Sequence, residues 1–379
     1  MLAALSSVSS PASPASPSSR PPTIEDARQF SSNVPTSMPR VIFLDSGDVI
    51  NDNKLRSPQW VDLVSNFVPT SPLGGPGELW GIANGKLAHK LFVEGLWYEV
   101  LQKCESHKVL DRMYNLLWVK EGCQFVNDFI LEAKKKKLEE SATAPGTNGT
   151  KDFSEWPLVV LPEDEEDIIL ISVMAHLYCV AHVKADLPGA VEAIKTLKLD
   201  QGFEMYTCSG EQSTDLTLTF RTLGLGTVGD AMTKTLEKVR KAVHEYKARY
   251  PDHATVDILG PDPRESPVPI FTQIYGPDLV DAHKDSTRFY AEIFRDCGVY
   301  PREAIVVDDK EKMLSWAKVL GVRTVLISDV DRTGREMLVR VPDPKDSSRT
   351  KVVPAVDHQL NSLSELPLLT AYWKKQLQG

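Results

Sequence analysis

The sequence has no long apolar run. No stretch of the 379-residue chain approaches the roughly 20 apolar residues that a membrane-spanning helix requires, so we expect no membrane partner. The first residues, MLAALSS, lack a basic segment and carry only a very short apolar run, which makes them a poor signal peptide. We therefore expect a soluble, cytoplasmic protein, whose translation starts at either Met1 or Met38.

Cysteine pairs and excess basic charge are also missing. The five cysteines are widely spaced and form no CxxC pair, so neither a zinc ribbon nor a redox motif is indicated. A formal net charge of -9 and a pI near 5.5 argue against a nucleic-acid partner, because neutralising phosphates requires a basic face. A small anionic substrate stays compatible with an acidic protein, since a local site can be positive. The oligomeric state stays open.

Composition divides the chain into segments of three kinds. Residues 1–38 are dominated by Ser, Pro and Ala and cannot bury enough apolar surface to fold, so we predict a disordered tail. Residues 54–185 show a Trp-rich apolar spacing typical of amphipathic helices. Residues 39–53 and 186–379 alternate between strand and helix patterns, which predicts an α/β unit with a parallel sheet. An insertion is expected at about residues 227–266.

Three predicted strands end in polar residues. VIFL is followed by Asp45, EMYTC by Ser209 and Gly210, and AIVV by Asp308 and Asp309. In open parallel sheets, ligands bind in the crevice outside the carboxyl ends of the strands. We therefore expect these side chains to meet in one pocket.

A lysine completes this set of polar residues. Lys284 stands just before a predicted helix that is opened by Asp285 and Ser286. Neighbouring carboxylates form an oxygen-only site that suits Mg²⁺, and a lysine and a hydroxyl beside it would hold an anion against that ion. Phosphoryl transfer needs this combination of a metal, a cation and an in-line nucleophile.

The order and spacing of these motifs resemble those of the haloacid dehalogenase superfamily of hydrolases, most of which are phosphatases. The resemblance runs from VIFLDSGDVI through EMYTCSG and HKDSTRFYAEIFRDCGVYPREAIVVDD to KVLGVRTVLI, so it covers the whole predicted sheet domain. It implies a Rossmann-like, three-layer α/β core with a parallel sheet, into which residues 54–185 are inserted as a helical cap domain.

The resemblance also implies a role for each site residue. Asp45 would be the nucleophile that forms an aspartyl-phosphate. Ser209 and the backbone N–H of Gly210 would bind the phosphoryl group, and Lys284 would pair with both the nucleophile and the phosphoryl oxygens. The implied Mg²⁺ ligands are Asp45, the backbone carbonyl of Gly47, Asp308 and Asp309.

Gly47 departs from the family pattern. Phosphatases of this superfamily carry a second Asp two residues after the nucleophile, where it protonates the leaving group and later activates water. Asp48 lies one residue too late, so its side chain is expected to point elsewhere, and a capping role is favoured over replacement of the acid. Without the acid, activity should be slow or restricted to good leaving groups such as acyl phosphates or sugar-1-phosphates.

Three functions stay open from the sequence. The leading one is a Mg²⁺-dependent phosphomonoesterase that acts on a small phosphorylated metabolite through phospho-Asp45. A dehalogenase-type C–X hydrolase would use the same Asp45 and need no leaving-group acid, but attack on carbon has no use for the Asp308–Asp309 pair. The third is a catalytically silent relative that binds a phosphorylated ligand or a partner protein, a reading to which Gly47 lends support.

Histidine and tryptophan residues elsewhere favour structural interpretations. Trp80, Trp97 and His89 could line a site under a closing cap, but positions in the helix core or on the helix surface are favoured. His176 and His182 have no carboxylate or cysteine at ligand spacing, so both are interpreted as packed histidines.

Overall fold

Of the nine strands found in the described residues, seven form one parallel sheet. The strands are β1 (Val41–Leu44), β2 (Glu204–Thr207), β3 (Leu225–Thr227), β4 (Val268–Gln273), β5 (Ala304–Asp308), β6 (Arg323–Ile327), β7 (Leu338–Asp343), β8 (Asp346–Pro354) and β9 (His358–Leu360). The order in the sheet is β3-β4-β2-β1-β5-β6-β9, and β7 and β8 form a separate antiparallel pair. The computed structural model describes residues 34–378 apart from 93, 95, 103, 105, 142–151, 254–255, 261–265, 331–335 and 344–345.

Twelve helices pack around these strands within the described residues. They are α1 (Asn53–Phe67), α2 (Gly77–Phe92), α3 (Leu96–Gln102), α4 (His107–Ser141), α5 (Glu165–His182), α6 (Ala190–Lys195), α7 (Ser213–Thr222), α8 (Ala231–Arg249), α9 (Pro277–Val280), α10 (Thr287–Cys297), α11 (Glu311–Lys318) and α12 (Leu366–Gln378). No helix of the described residues is long and apolar enough to cross a membrane.

The central strand β1 is buried on both faces. Successive side chains of a strand point to opposite faces, so Ile42 and Leu44 join one apolar cluster and Val41 and Phe43 join another. Helices α6, α7 and α12 cover the first face, and α10 and α11 cover the second. The continuous apolar runs of β1 and β5 are what a doubly covered parallel strand needs. The predicted three-layer α/β fold is confirmed.

A helical insertion lies between β1 and β2. Helices α1 to α5 enclose a third apolar cluster, in which Trp80 is buried and donates from Nε1 to the Gly74 carbonyl at 2.8 Å. Helix α8 joins this cluster through Val239, Val243 and Tyr246. The segment predicted as an insertion at residues 227–266 therefore packs in part against the helices inserted after β1.

Several elements were not expected from the sequence. They are the short edge strand β3 and its neighbour β4, the β7–β8 pair, β9 and the last helix α12. Of the predicted tail, residues 1–33 lie outside the described residues, while Val34 and Met38 pack against the first apolar cluster of the sheet.

Truncating Phe43 should destabilise the fold. Its ring is 1% exposed, stacks on Tyr206 at a centroid distance of 5.0 Å and meets Phe294 edge-on at 5.1 Å. We expect Phe43→Ala to lower the free energy of unfolding by about 3–5 kcal/mol, because it leaves a cavity between two layers. Chemical denaturation followed by circular dichroism measures this loss. Tyr300→Ala, at a residue 63% exposed, is the control, and equal losses in both variants would contradict the packing described.

Candidate active site

Asp45 occupies the carboxyl end of the central strand. Its backbone N–H donates to the Val307 carbonyl of β5 at 3.0 Å, which continues the sheet hydrogen bonding past Leu44. Its side chain is 7% exposed, and its Oδ1 accepts the backbone N–H of Ser46 at 2.7 Å. The carboxylate is thus held in one position at the floor of a cleft.

Lys284 joins two strand ends through one buried ammonium. Its Nζ lies 2.8 Å from Asp45 Oδ1 and 2.7 Å from Asp308 Oδ2. Burial would lower the pKa of Lys284, but the attraction of Asp308 and Asp45 outweighs it and the pKa is raised, so the side chain is cationic. Burial also raises the pKa of Asp308 to about 7, against the opposing attraction of Lys284.

The loop that carries Lys284 is fixed by the helix that follows it. Ser286 donates its backbone N–H to the Lys284 carbonyl at 2.8 Å. The Ser286 hydroxyl is the N-cap of α10 and accepts the N–H of Phe289 at 3.3 Å. These hydrogen bonds fix the backbone of Lys284 relative to α10, and so the point from which its side chain extends.

Three carboxylates at the strand ends could hold a metal ion. One oxygen from each of Asp45, Asp308 and Asp309 lies within 4.8 Å of the others. Asp309 Oδ1 is buried and has no hydrogen-bond partner among the described residues, and burial raises the pKa of Asp309. A buried carboxylate oxygen without a partner is costly, and a hard divalent cation would satisfy it. The donor set therefore fits Mg²⁺.

Ser209 and Gly210 follow β2 and face the same space. Ser209 is 2% exposed, and a Cβ placed on Gly210 would lie 3.6 Å from Lys284 Cδ, so the two segments are in contact. Asp45, Gly47, Ser209, Gly210 and Lys284 all line one cavity of about 560 Å³. The structure thus brings five of the predicted residues to one pocket, whereas Asp308 and Asp309 are not among its lining residues and adjoin it through the Lys284–Asp308 ion pair and the carboxylate cluster with Asp45.

Asp48 is bound to the start of the first inserted helix. Its backbone is left-handed, with φ 54°. Its Oδ1 accepts the backbone N–H of Asn53 at 3.0 Å and its Oδ2 accepts Asn53 Nδ2 at 2.9 Å. Both oxygens of Asp48 are thus engaged by Asn53, the first residue of α1, whereas the N-cap of that helix is Asp52.

Three polar pairs join the insertion to the core around the cavity. Each pairs an inserted helix with the segment just after Gly210, and all six residues line the cavity. The pairs are Arg56 of α1 with Glu211, Asp111 of α4 with Gln212, and His176 Nε2 of α5 with Asp215 Oδ2 at 2.8 Å. Apart from His176, these residues carried no signal in the sequence, because their partners are far away along the chain.

His176 differs from the packed histidine that was expected. Its ring contacts the carboxylate of Asp215, lies edge-on to Trp60 at 5.0 Å and keeps 35% of its side chain exposed. Burial would lower the pKa of His176, but the charge and hydrogen bond of Asp215 outweigh burial and the pKa is raised. His182, by contrast, bonds only the Tyr178 carbonyl of its own helix among the described residues, through Nδ1 at 2.8 Å.

The remaining candidates of the insertion, Trp80, Trp97 and His89, lie in three different environments. Trp97 lines the cavity and Trp80 lies in the core of the insertion. His89 is on the surface beside Glu94, with an Nδ1 to Oε1 distance of 3.3 Å.

Comparison with known proteins gives a likeness of fold. No family model and no curated protein sequence matches the chain. L-2-haloacid dehalogenase from Xanthobacter autotrophicus is similar, at 13% identity over 88% of this chain and 99% of that one, with a TM-score of 0.41. CbbY from Rhodobacter sphaeroides in complex with phosphate has 14% identity over 87% and 96%, with a TM-score of 0.38. The defluorinating L-2-haloacid dehalogenase Rha0230 has 13% identity over 90% and 95%, with a TM-score of 0.40.

These solved structures are what the chain is similar to, and the motifs of its sequence resemble those of the haloacid dehalogenase superfamily.

Removing the buried ammonium should destabilise the protein. Lys284→Met would leave the carboxylates of Asp45 and Asp308 buried without their cation, so we expect a loss of about 3–5 kcal/mol in the free energy of unfolding. Adding Asp308→Asn should recover part of that loss. Lys310→Met, at a side chain 60% exposed, is the matched control in chemical denaturation. A Lys284→Met variant as stable as this control would contradict the buried ion pairs.

The His176–Asp215 pair should make stability depend on pH. The pKa of His176 is higher in the folded protein than in the unfolded one. The contribution of the protonated pair to the free energy of unfolding is therefore complete below the unfolded pKa of about 6.5, and it is lost as the pH rises through the pKa of the folded protein. Thermal unfolding across the neutral range measures this. Asp215→Asn should remove that part of the pH dependence, and Asp62→Asn, on the exposed face of α1, should leave it intact. Identical pH profiles for Asp215→Asn and wild type would contradict the assignment.

Proposed function

We propose that the protein is a Mg²⁺-dependent phosphomonoesterase that acts on a small phosphorylated metabolite through an aspartyl-phosphate at Asp45. The observation that carries this proposal is the Lys284 ammonium, held between Asp45 and Asp308 in a cavity that Ser209 and Gly210 also line. A nucleophilic carboxylate, a buried cation and neutral hydrogen-bond donors around one space suit a transferring phosphoryl group.

The reaction would proceed in two displacements. A carboxylate oxygen of Asp45 attacks phosphorus, and the bond to the leaving oxygen breaks. Lys284, the Ser209 hydroxyl and the Gly210 N–H would hold the phosphoryl oxygens in place. Water then attacks phosphorus, the bond to Asp45 breaks and inorganic phosphate leaves. Mg²⁺, held by Asp45, Asp308, Asp309 and the Gly47 carbonyl, would neutralise negative charge on the phosphoryl group.

In this proposal the helical insertion serves as a cap. Trp97 and Tyr114 of the insertion line the same cavity as Asp45, so a leaving group in that cavity would contact the insertion. The polar pairs Arg56–Glu211 and His176–Asp215 would hold the insertion over the cavity and exclude water from the phosphoryl group. A volume of about 560 Å³ suits a small metabolite.

A dehalogenase-type C–X hydrolase is the second candidate. Gly47 favours it, because displacement of a halide needs no proton donor. The carboxylates of Asp308 and Asp309 disfavour it, because attack of Asp45 on carbon needs no metal, yet Asp309 Oδ1 is buried and has no hydrogen-bond partner in the part of the chain that the structure describes. Release of halide from chloropropionic acid in excess chelator would reverse the preference.

A silent, ligand-binding relative is the third candidate. Beryllium fluoride forms an adduct on a nucleophilic aspartate only where the nucleophile and the metal site are intact. An adduct that depends on Asp45 would therefore exclude this candidate.

Asp45→Asn should abolish the proposed activity. The amide cannot attack phosphorus, so phosphate release from acetyl phosphate or dinitrophenyl phosphate with Mg²⁺ should fall to the level of the buffer blank. Wild type in excess chelator should show the same loss, and Asp62→Asn should retain full activity. Turnover that survives Asp45→Asn would refute the covalent mechanism.

A further inference from the structure

The position that a Cβ atom at residue 47 would occupy lies in close contact with the side chain of Asn53. A Cβ built on Gly47 would lie 2.9 Å from Asn53 Nδ2, a separation that real Cβ atoms essentially never show. Gly47 is not among the residues with a positive φ, so its backbone conformation admits other residues. A side chain at position 47 would therefore have to displace the amide of Asn53, whereas the backbone itself would admit it.

Asn53 is itself firmly placed. It is the first residue of α1, and Asp48 accepts both its backbone N–H, at 3.0 Å, and its Nδ2, at 2.9 Å. The side-chain amide has two hydrogens, of which Asp48 uses one. Asn53 lines the same cavity as Asp45 and Gly47.

The identity of this side chain determines what it can do. An amide donates a hydrogen bond but does not give up a proton at neutral pH. In this it differs from the carboxyl group that phosphatases of the superfamily resembled by these motifs carry at the position of Gly47. Asp48 does not replace that carboxyl group, because both of its oxygens are bonded to Asn53.

We propose that Asn53 donates a hydrogen bond to the leaving oxygen of the substrate. Because it supplies no proton, the site is restricted to phosphates whose leaving group departs without one. This inference rests on the proposed function. As the bond between phosphorus and the leaving oxygen breaks, the electron pair stays on that oxygen, which accepts a hydrogen bond from Asn53. The leaving group departs as an anion and takes any proton from water. The substrates are then acyl phosphates and other phosphates of acidic leaving groups.

A double-mutant cycle at residues 47 and 53 tests this inference. The measured quantity is kcat/KM for two esters in Mg²⁺: dinitrophenyl phosphate, which has an acidic leaving group, and phenyl phosphate, which has a basic one. Wild type should strongly prefer the first ester. Asn53→Ala should lower kcat/KM about three- to tenfold, most for phenyl phosphate, because the hydrogen bond to the leaving oxygen is lost.

The Asp introduced at residue 47 should act only when Asn53 is truncated. Gly47→Asp alone should gain little on phenyl phosphate, because the amide and the new side chain compete for one space. Gly47→Asp combined with Asn53→Ala should exceed Asn53→Ala on phenyl phosphate by roughly a hundredfold, the contribution of a general acid. Lys54→Ala, at the exposed neighbouring residue of α1, should match wild type on both esters, and circular dichroism checks that each variant is folded.

The outcomes separate the inference from the proposed function. If Gly47→Asp alone gains as much as the double variant, or if Asn53→Ala matches wild type on both esters, the inference is overturned while the proposed function stands. If wild type releases no dinitrophenol in an Asp45-dependent way, the proposed function fails and the inference falls with it.

Discussion

The ammonium of Lys284 is the interaction on which the rest of the site depends. A buried charge is tolerated only with close partners, and here two carboxylates from adjacent strands supply them. Strand order provides this, because β1 pairs with β5 in a register that sets Leu44 beside Val307 and so places Asp45 and Asp308 at the same level. The order and register of the strands thus place Asp45 and Asp308 side by side around Lys284.

The parts of the fold that were predicted are those with strong local signals. The apolar runs of β1 and β5 and the Ser286 cap of α10 are readable from a few residues each. Strands β3 and β4 were not predicted, because β3 has only three residues, one of them Gly226, and β4 contains Pro269. The strand conformation of β3 depends on pairing with β4, and that of β4 on pairing with both β3 and β2. Pairing between distant segments leaves no local pattern.

In the candidate site, too, the features with local sequence signals were predicted and those that depend on distant contacts were not. Convergence of Asp45, Ser209 and Asp308 was predictable, since parallel strands end at one edge. The cavity wall was not, because Arg56 and Asp111 look like ordinary charged residues on exposed helix faces until their partners are known. The contact of Asn53 with position 47 was equally hidden, because it depends on the left-handed backbone of Asp48, with φ 54°.

The segment from Ser209 to Asp215 serves two parts of the molecule at once. Its first residues face the Asp45 carboxylate, and within six further positions it contacts three different inserted helices through Glu211, Gln212 and Asp215. If a bound anion changes the position of this segment, the contacts with the three inserted helices change with it. By thermodynamic reciprocity, the arrangement of those helices would then change the affinity for the anion by the same free energy.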